Sequence, residues 1–247
     1  MTVGARTLPE ALNEAARSGE GLTFVVDGVD TRRTYAELER SALGVACAFG
    51  EAGLAPGDLV ALVIPDAESF LTALLGASIA GVVPAPLYPP VANSDLSQYF
   101  PLTAGVLRAV GARAVVTSAA LVGAFEAIRG TCPKLAFVLS RDALERPERI
   151  EPIEKVGPSL DDIAFVQFTS GSTSAPRGVT LSHRNLSANI DAINGPAGLG
   201  TSSQDSAVSW LPLFHDMGLV GMALGPLYAA RPGVLLPPQT FVRRPAE

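Results

Sequence analysis

The sequence predicts an α/β protein built from mixed, largely parallel β-sheets flanked by helices. Apolar runs of strand character alternate along the chain with segments whose apolar residues recur at helical spacing. This alternation is typical of parallel strands joined by helices that cover the sheet. The 24 glycines and 20 prolines among 247 residues also indicate many turns between short elements rather than a long helical bundle.

The start of the chain predicts a β-hairpin followed by an amphipathic helix. The hairpin occupies residues 23–35 and turns at an Asp-Gly pair, which suits a tight two-residue turn. Thr34 and Glu37 have the spacing of a capping box, which opens a helix that ends near Gly53. The apolar positions of this helix are Leu38, Ala42, Val45 and Phe49.

The middle of the chain predicts three strands, at residues 58–64, 112–117 and 135–139. The first strand leads into a helix that Gly81 closes, with apolar positions Phe70, Leu71, Leu74, Leu75 and Ile79. A proline-rich loop or edge strand follows at residues 82–90. Two further helices are predicted, one with the stripe Leu102, Val106 and Val110 and one over residues 119–129. Residues 141–158 are charged and contain prolines, and we expect a surface connector with a subdomain boundary there.

The last third predicts a buried strand at residues 163–168 and a hydroxyl- and glycine-rich loop directly after it. Ser182 then caps a helix with the stripe Leu186, Ile190 and Ile193. The remaining predicted elements are strands at 207–211 and 233–236 and an apolar helix that begins at 217–224. In parallel sheets ligands bind beyond the carboxyl ends of the strands, which is where we expect the loop after Phe168.

Composition excludes several classes of protein. The net charge of −6 and the lack of any Lys/Arg run argue against a nucleic-acid surface. Two cysteines, Cys47 and Cys132, and two histidines without a C-x-x-C motif argue against a structural zinc site. The N-terminus lacks the apolar core of a signal peptide, and the longest apolar region, residues 71–87, is short and contains prolines. We therefore expect a soluble cytoplasmic protein without a membrane span.

The loop at residues 169–178, TSGSTSAPRG, is the most informative stretch. Glycines let backbone N–H groups converge, hydroxyls add donors and the arginine adds positive charge, so the loop suits a polyphosphate. A plain surface loop has a similar composition and stays an alternative at this point. The stretch contains neither the Walker pattern nor the Gly-x-Ser-x-Gly of a serine hydrolase.

A second informative string, SWLPLFHDMGL, occupies residues 209–219. Taken by itself it is weak, because a lone histidine such as His215 is more often structural than catalytic. His215 and Asp216 are neighbours in sequence, so on a helix or strand their side chains diverge. We therefore expect no His–Asp relay there.

The two strings together resemble the adenylate-forming superfamily, whose phosphate loop is written [YF]-TSG-[ST]-TG-x-PKG. LPLFH is similar to the segment beside the acyl and adenylate site of acyl-activating enzymes, and HDMGL and Leu87-Tyr-Pro-Pro90 resemble the fatty acyl-AMP ligase branch. TYAELE at 34–39 and GASIAGVVPAPLYPP at 76–90 also match family segments. The resemblance runs from about residue 8 to residue 245 and implies the N-terminal subdomains of an adenylate-forming enzyme.

The resemblance implies a ligase that joins a fatty acid to AMP, using ATP and Mg²⁺, without a metal held directly by protein ligands. It assigns the ATP phosphates to Thr169, Ser170, Gly171, Ser172, Thr173, Ser174, Arg177 and Gly178. It assigns the acyl and adenylate pocket to Trp210, Phe214, His215, Asp216 and Met217. The catalytic residues it implies are Thr169, Arg177 and His215. The acyl group would then pass to the phosphopantetheine thiol of an acyl carrier protein, in polyketide, lipopeptide or lipid synthesis.

Three departures from the family pattern leave alternatives open. Ser174 replaces a glycine and Arg177 replaces a lysine. Family members are also much longer, so residues 1–247 correspond to a partial N-terminal adenylation domain, without its C-terminal part and without the mobile domain that bears a lysine. We expect these residues alone to be inactive. An acyl-CoA ligase and a non-catalytic remnant that binds acyl chains or a partner remain the alternatives, and both a stand-alone enzyme and a module of a larger synthase fit the sequence.

Overall fold

The computed structural model describes residues 4–90, 94–144, 157–169 and 177–243. Its strands are β1 (Gly21–Val26), β2 (Val29–Thr34), β3 (Leu59–Val63), β4 (Val83–Pro86), β5 (Ala114–Thr117), β6 (Phe137–Ser140), β7 (Ile163–Thr169), β8 (Arg177–Ser182), β9 (Ala207–Ser209) and β10 (Gly233–Leu235). Its helices are α1 (Leu8–Ala15), α2 (Tyr35–Glu51), α3 (Ala67–Ile79), α4 (Leu96–Val110), α5 (Ala119–Arg129), α6 (Arg141–Leu144), α7 (His183–Asn194), a π-helix (Met217–Leu224), α8 (Gly225–Tyr228) and α9 (Pro238–Arg243). No helix among these residues is long and apolar enough to cross a membrane.

The first sheet, in the order β4-β3-β5-β6, is parallel throughout. Alternate residues of its central strands face two different hydrophobic clusters. Leu62 and Val116 belong to the cluster that contains α2 and α3, whereas Ala61 and Val115 belong to the cluster that contains α4 and α5. Both faces of this sheet are therefore covered by helices, as expected for parallel strands.

The second sheet, in the order β2-β1-β10-β9, is mixed. β1 and β2 form the predicted antiparallel hairpin, and its two-residue turn has positive φ at Asp27 (51°) and Gly28 (79°). β10 pairs in parallel with β1 and with β9. Leu22 and Leu235 point into the same cluster as α2 and α3. The layers thus run α4/α5, first sheet, α2/α3, second sheet, and the predicted α/β class with largely parallel sheets is confirmed.

Local sequence signals explain where several helices begin. The predicted capping box of Thr34 and Glu37 opens α2, and Ser182 caps α7 as predicted. A further capping box, Thr7 with Glu10, opens α1, which lies outside the predicted elements, as does α9. The edge strand expected within residues 82–90 is β4.

The predicted stripe of α4 is only partly right, because Val106 and Val110 pack against the cluster that contains α4 and α5 but Leu102 is exposed. Leu102 is 70 % exposed and Val106 and Val110 are only partly buried, whereas the buried residues are Thr103, Ala104 and Leu107. The small side chains allow close packing, because the Sγ of Cys132 lies 3.6 Å from the Ala104 carbonyl oxygen. The buried face of α4 therefore depends on how closely the segment with Cys132 can approach, which hydrophobicity alone does not show.

The predicted setting of strand 163–168 is only partly right. Within the described residues β7 pairs with β8 alone, in antiparallel register, so it is not a member of a parallel sheet. Ala164, Phe165 and Val166 are buried, but Ile163 is 42 % exposed. Val166 packs against Val83 and Ala85 of β4, which holds the hairpin beside the first sheet. The subdomain boundary expected within residues 141–158 stays a prediction, since residues 145–156 lie outside the described ranges.

Candidate active site

The predicted phosphate loop connects the two strands of the β7–β8 hairpin. Thr169 and Arg177 are direct partners at its base, so residues 170–176 leave and return at one point. Ser170, Gly171, Ser172, Thr173 and Ser174 lie outside the described residues, as do the side chains of Thr169 and Arg177. The contacts of these side chains with a phosphate therefore stay a prediction.

The hairpin lies against the second predicted motif. Gln167 Nε2 in β7 donates a hydrogen bond to the Phe214 carbonyl oxygen at 3.2 Å. The Phe214 ring meets the Tyr88 ring edge-on, with centroids 4.7 Å apart and planes at 73°. Tyr99 in turn donates its hydroxyl to the Tyr88 carbonyl oxygen at 2.7 Å. Three motifs that are distant in sequence thus meet at one place.

This meeting point lies at the carboxyl end of the first sheet, because Tyr88 follows directly after β4. The opposite end holds a cavity of about 740 Å³, lined by Leu59 and Val83 at the starts of β3 and β4 and by Ile163 at the start of β7. β7 therefore runs in the same direction as β4. The loop leaves β7 at the edge where ligands of parallel sheets bind, as predicted, although β7 is not hydrogen-bonded to that sheet.

The expected divergence of His215 and Asp216 is wrong. His215 Nδ1 lies 2.7 Å from Asp216 Oδ1, because the chain turns there and the His215 N–H donates to the Pro212 carbonyl oxygen. The Met217 N–H lies 2.8 Å from Asp216 Oδ1 and 3.3 Å from His215 Nδ1. The contact with Asp216 is a hydrogen bond only when Nδ1 carries a proton, and Nδ1 then no longer accepts from the Met217 N–H. Both side chains are more than 60 % exposed, so water screens their attraction.

The helix after His215 differs in type from the apolar helix that the sequence predicts. Residues Met217–Leu224 form a π-helix, a form that is frequent at functional sites. Gly218 at its start packs directly on the preceding turn. A Cβ there would overlap the Pro212 carbonyl oxygen and lie 3.0 Å from that of Leu211. The glycine at this position therefore allows the turn before the helix, which bears His215, to pack directly against it.

Trp210 lies at the end of β9 and stacks on Phe241 of α9. The ring centroids are 3.8 Å apart and the planes are within 2°. Met217, also predicted for the acyl pocket, is 60 % exposed, and Trp210 is 41 % exposed. The five predicted pocket residues thus belong to one continuous surface segment after β9.

Comparison with known proteins identifies the family. The model of the AMP-binding enzyme family matches residues 12–247. The chain belongs to the AMP-binding enzyme family. It is 32 % identical to the long-chain-fatty-acid–AMP ligase FadD26 of Mycobacterium marinum, over all of this chain and 43 % of FadD26.

Solved structures agree with this family membership. A fatty acyl-adenylate ligase from a study of the E. coli and L. pneumophila enzymes superimposes with a TM-score of 0.88 and 32 % identity, over 97 % of this chain and 43 % of that chain. The L. pneumophila ligase in complex with acyl adenylate and pyrophosphate gives a TM-score of 0.83 and 26 % identity, over 97 % and 41 % of the two chains. This AMP-binding enzyme chain thus spans less than half the length of these relatives.

Gly178 of the AMP-binding enzyme chain has a packing role that accounts for its identity. A Cβ at this position would lie 2.9 Å from Val166 Cγ1 and 3.3 Å from Phe168 Cε1. The glycine thus lets β8 lie close to the side chains of β7. Its assignment to phosphate binding stays a prediction.

The second histidine, His183, lies away from this site and is structural. It is 1 % exposed, and its Nδ1 accepts a hydrogen bond from the Leu8 N–H at 3.1 Å. Burial lowers the pKa of His183 to about 4, although Asp162 and Glu10 act in the opposite direction. The ring is therefore neutral at pH 7 and joins the start of α1 to α7. Within the described part of this chain, no group of three or more His, Cys, Asp or Glu could hold a metal ion.

Four residues of the site were outside the predicted set. Gln167 could have been found as the one amide in an otherwise apolar strand, IAFVQFT. Gly218 stands in the HDMGL string, but only the structure shows which carbonyl it meets. Tyr88 and Phe241 lie far from Trp210 and Phe214 in sequence, and no local pattern indicates that their rings pair.

Proposed function

We propose that this chain forms the phosphate-binding and acyl-binding part of a fatty acyl-AMP ligase. The observation that carries the proposal is the hydrogen bond between Gln167 and Phe214, two residues 47 positions apart in sequence. It joins the hairpin that bears residues 170–176 to the segment that bears His215. An ATP tail at the hairpin tip and a carboxylate beside His215 are then neighbours, as attack of the carboxylate on the α-phosphate requires.

The proposed reaction needs no protein nucleophile. A carboxylate oxygen of the fatty acid attacks the α-phosphorus of ATP, a new O–P bond forms, and the bond to the β-phosphate oxygen breaks. The products are acyl adenylate and pyrophosphate. The protein aligns two anions and stabilises the charge that gathers on the departing pyrophosphate.

The loop residues would share this electrostatic work. Backbone N–H groups of residues 171–173 and the nearby hydroxyls bind the β- and γ-phosphates, and Arg177 balances the negative charge of the pyrophosphate. Mg²⁺ enters with ATP, held mainly by phosphate oxygens. His215, oriented by Asp216 through Nδ1, presents Nε2 beside the carboxylate, and Trp210, Phe214 and Met217 border the first part of the acyl chain.

In the second step of the proposed function the acyl group passes to the phosphopantetheine thiol of an acyl carrier protein. A thioester forms and AMP leaves. The TM-score of 0.88 with a fatty acyl-adenylate ligase supports this branch over a CoA ligase, whereas the curated relatives of similar identity include both FadD26 and a putative acyl-CoA synthetase. In an enzyme that contains this segment, offering CoA and a carrier protein together tests the choice, and faster thioester formation on CoA would reverse it.

Calorimetry tests the binding part of the proposal on the chain itself. We expect heat on titration with a non-hydrolysable fatty acyl-adenylate analogue or with Mg-ATP. Arg177→Ala should weaken Mg-ATP binding about 10- to 100-fold, because a charge-assisted contact contributes about 1.5–3 kcal/mol. Arg184→Ala is the matched control, since Arg184 pairs with Asp161 on the surface and should leave binding unchanged.

Two results would contradict the proposal in different ways. No heat at millimolar concentrations of either ligand would favour a non-catalytic remnant that binds a partner without ATP chemistry. Pyrophosphate exchange by the 247 residues at rates near those of the full-length relatives would contradict the expectation that this chain alone is inactive.

A further inference from the structure

The peptide group that joins Phe214 to His215 is held at both ends. Its carbonyl oxygen accepts a hydrogen bond from Gln167 Nε2 at 3.2 Å. Its N–H, which belongs to His215, donates to the Pro212 carbonyl oxygen at 3.1 Å. A peptide group is planar, so two hydrogen bonds on its opposite sides fix its orientation. The direction in which the His215 side chain leaves the backbone therefore depends on a side chain of β7.

The ring of Phe214 is held by a second group from outside its own segment. It meets the ring of Tyr88 edge-on, with centroids 4.7 Å apart. The backbone around Tyr88 is fixed in turn, because the Tyr99 hydroxyl donates to the Tyr88 carbonyl oxygen at 2.7 Å. The Leu87 N–H also donates to the Leu62 carbonyl oxygen of β3 at 2.9 Å. The first sheet therefore sets the position of the Phe214 ring.

His215 itself makes only local side-chain contacts within the described ranges. Its polar contacts are with Asp216 and with the Met217 N–H, both within two positions of it, and its side chain is 64 % exposed. Such contacts move together with the turn and do not join the ring to a distant element. The contacts from distant elements, β7 and the segment after β4, reach the preceding residue instead.

We propose that Gln167 and Tyr88 are positioning residues for His215. Gln167 fixes the peptide plane and Tyr88 fixes the neighbouring ring, so that the imidazole keeps one place before a ligand binds. Pre-organisation of this kind lowers the cost of ordering a side chain on binding. The inference rests on the proposed function for its ligand, a fatty acyl adenylate, but its effect on the His215 ring can be measured without any ligand.

The chain has only two histidines, which makes the ligand-free test direct. In ¹⁵N-labelled protein each imidazole gives its own pair of ring-nitrogen resonances, and those of the buried His183 serve as an internal control. Gln167→Met keeps the length of the side chain and removes the donor. We expect the His215 resonances to shift in this variant and those of His183 to stay unchanged. Unchanged His215 resonances would overturn the proposal, since the ring is then placed without Gln167.

A double-mutant cycle tests whether Gln167 acts through His215. The probe is a non-hydrolysable decanoyl-adenylate analogue, titrated by calorimetry. Gln167→Met should weaken its binding about three- to tenfold, the range expected for one hydrogen bond. The same substitution in a His215→Ala chain should cost no further affinity, because the ring that it positions is gone. Equal losses in the two backgrounds would overturn the proposal. No binding by the wild-type chain would contradict the proposed function, and the ring resonances then decide the positioning role on their own.

Asn194→Leu is the matched control for Gln167→Met. Asn194 Nδ2 also donates to a backbone carbonyl oxygen, that of Gly225 at 2.9 Å, but it joins α7 to α8. Both variants lose an amide donor of the same kind, whereas only Gln167→Met should change the His215 resonances and the affinity. Equal changes in the two variants would mean a general loosening of the fold and would also overturn the proposal.

Two substitutions separate the ring of Tyr88 from its hydroxyl. Tyr88→Leu removes the edge-on contact with Phe214, and it should shift the His215 resonances and weaken binding of the analogue. Tyr88→Phe keeps the ring and should retain the wild-type result in both measurements. Loss of binding in Tyr88→Phe would show that the hydroxyl contacts the ligand directly, and Tyr88 would then not be a positioning residue.

Discussion

The two sheets of this protein both contain parallel pairs, although only the second also has an antiparallel pair, and they differ in how their faces are covered. In the first sheet, β4 and β5 are buried at every residue, and Leu62 and Ala61 on β3 face separate hydrophobic clusters. In the second sheet buried and exposed residues alternate, so that Leu235 is 4 % and Val208 is 54 % exposed. The two sheets share α2 and α3 between them. The outer side of the first sheet is covered by α4 and α5, whereas on the second sheet Val208 is exposed and Trp210, just after β9, stacks on Phe241 of α9.

The first sheet therefore contributes mainly to the stability of the fold, whereas residues of the candidate site follow a strand of the second sheet. The first sheet supplies a rigid edge, from which Tyr88 reaches Phe214. The segment with Trp210 and His215 belongs to the second sheet, where it follows β9. The candidate site therefore lies between a sheet that is packed on both faces and a segment that follows a partly exposed strand of the other sheet.

The largest expected effect on the free energy of unfolding comes from truncating a buried apolar side chain in the first sheet. Leu62→Ala removes a fully buried side chain between Pro86 and Val116. We expect unfolding to become easier by about 2–5 kcal/mol, measured by urea denaturation. Val208→Ala in the second sheet is the control and should change the free energy of unfolding by less than about 0.5 kcal/mol. Similar losses at the two positions would contradict the difference in burial between Leu62 and Val208.

Acid should act on the contact between α1 and α7 through His183. An unfolded histidine binds a proton near pH 6.5 and the folded one near pH 4, so below pH 6.5 protons favour the unfolded chain. The contribution of His183 to stability should be constant above pH 7 and should fall as the pH drops from about 6.5 to about 4, by about 3 kcal/mol in total.

Thermal melting at a series of pH values measures the contribution of His183. Carboxylates with a lowered pKa, such as Glu37 and Asp95, also make the folded protein less stable when they are protonated. A control is therefore needed. His183→Asn keeps an acceptor for the Leu8 N–H without a titrating ring. The difference between the wild-type and His183→Asn profiles should carry the loss between pH 6.5 and 4. Parallel profiles would show that His183 does not couple folding to pH.

The sequence predicts the fold well where the signal is local. The Asp-Gly turn, the Thr34 capping box and the Ser182 cap are set by residues within four positions of one another. The burial of Thr103 and Ala104 in α4 is not predicted, because it depends on which distant part of the chain approaches them. The antiparallel partner of β7 is not predicted either, since the sequence of β8, RGVTLS, is largely polar and Gly178 interrupts its apolar pattern.

The same limit applies to the site. The two motifs predict which residues gather, and the contact of Gln167 with Phe214 is consistent with them. The contact of His215 with Asp216 is not predicted, because their side chains diverge only in a regular helix or strand and the chain turns here instead. The rings of Tyr88 and Phe241 come from other parts of the chain, so their pairing with Phe214 and Trp210 requires the tertiary structure.

The smallest of the expected effects tests the wall that carries His215. Gly218→Ala places a methyl group against the carbonyls of Leu211 and Pro212, and we expect a loss of about 1–3 kcal/mol in urea denaturation, as for other overpacked sites. Gly221→Ala lies three residues on in the same helix, has open space around its Cβ, and should be neutral or slightly stabilising. Because the methyl group pushes on the turn that positions His215, Gly218→Ala should also weaken binding of an acyl-adenylate analogue, whereas Gly221→Ala should not. Equal binding by the two variants would mean that the turn moves without disturbing the ligand, and that His215 is not held in place by its contact with the helix.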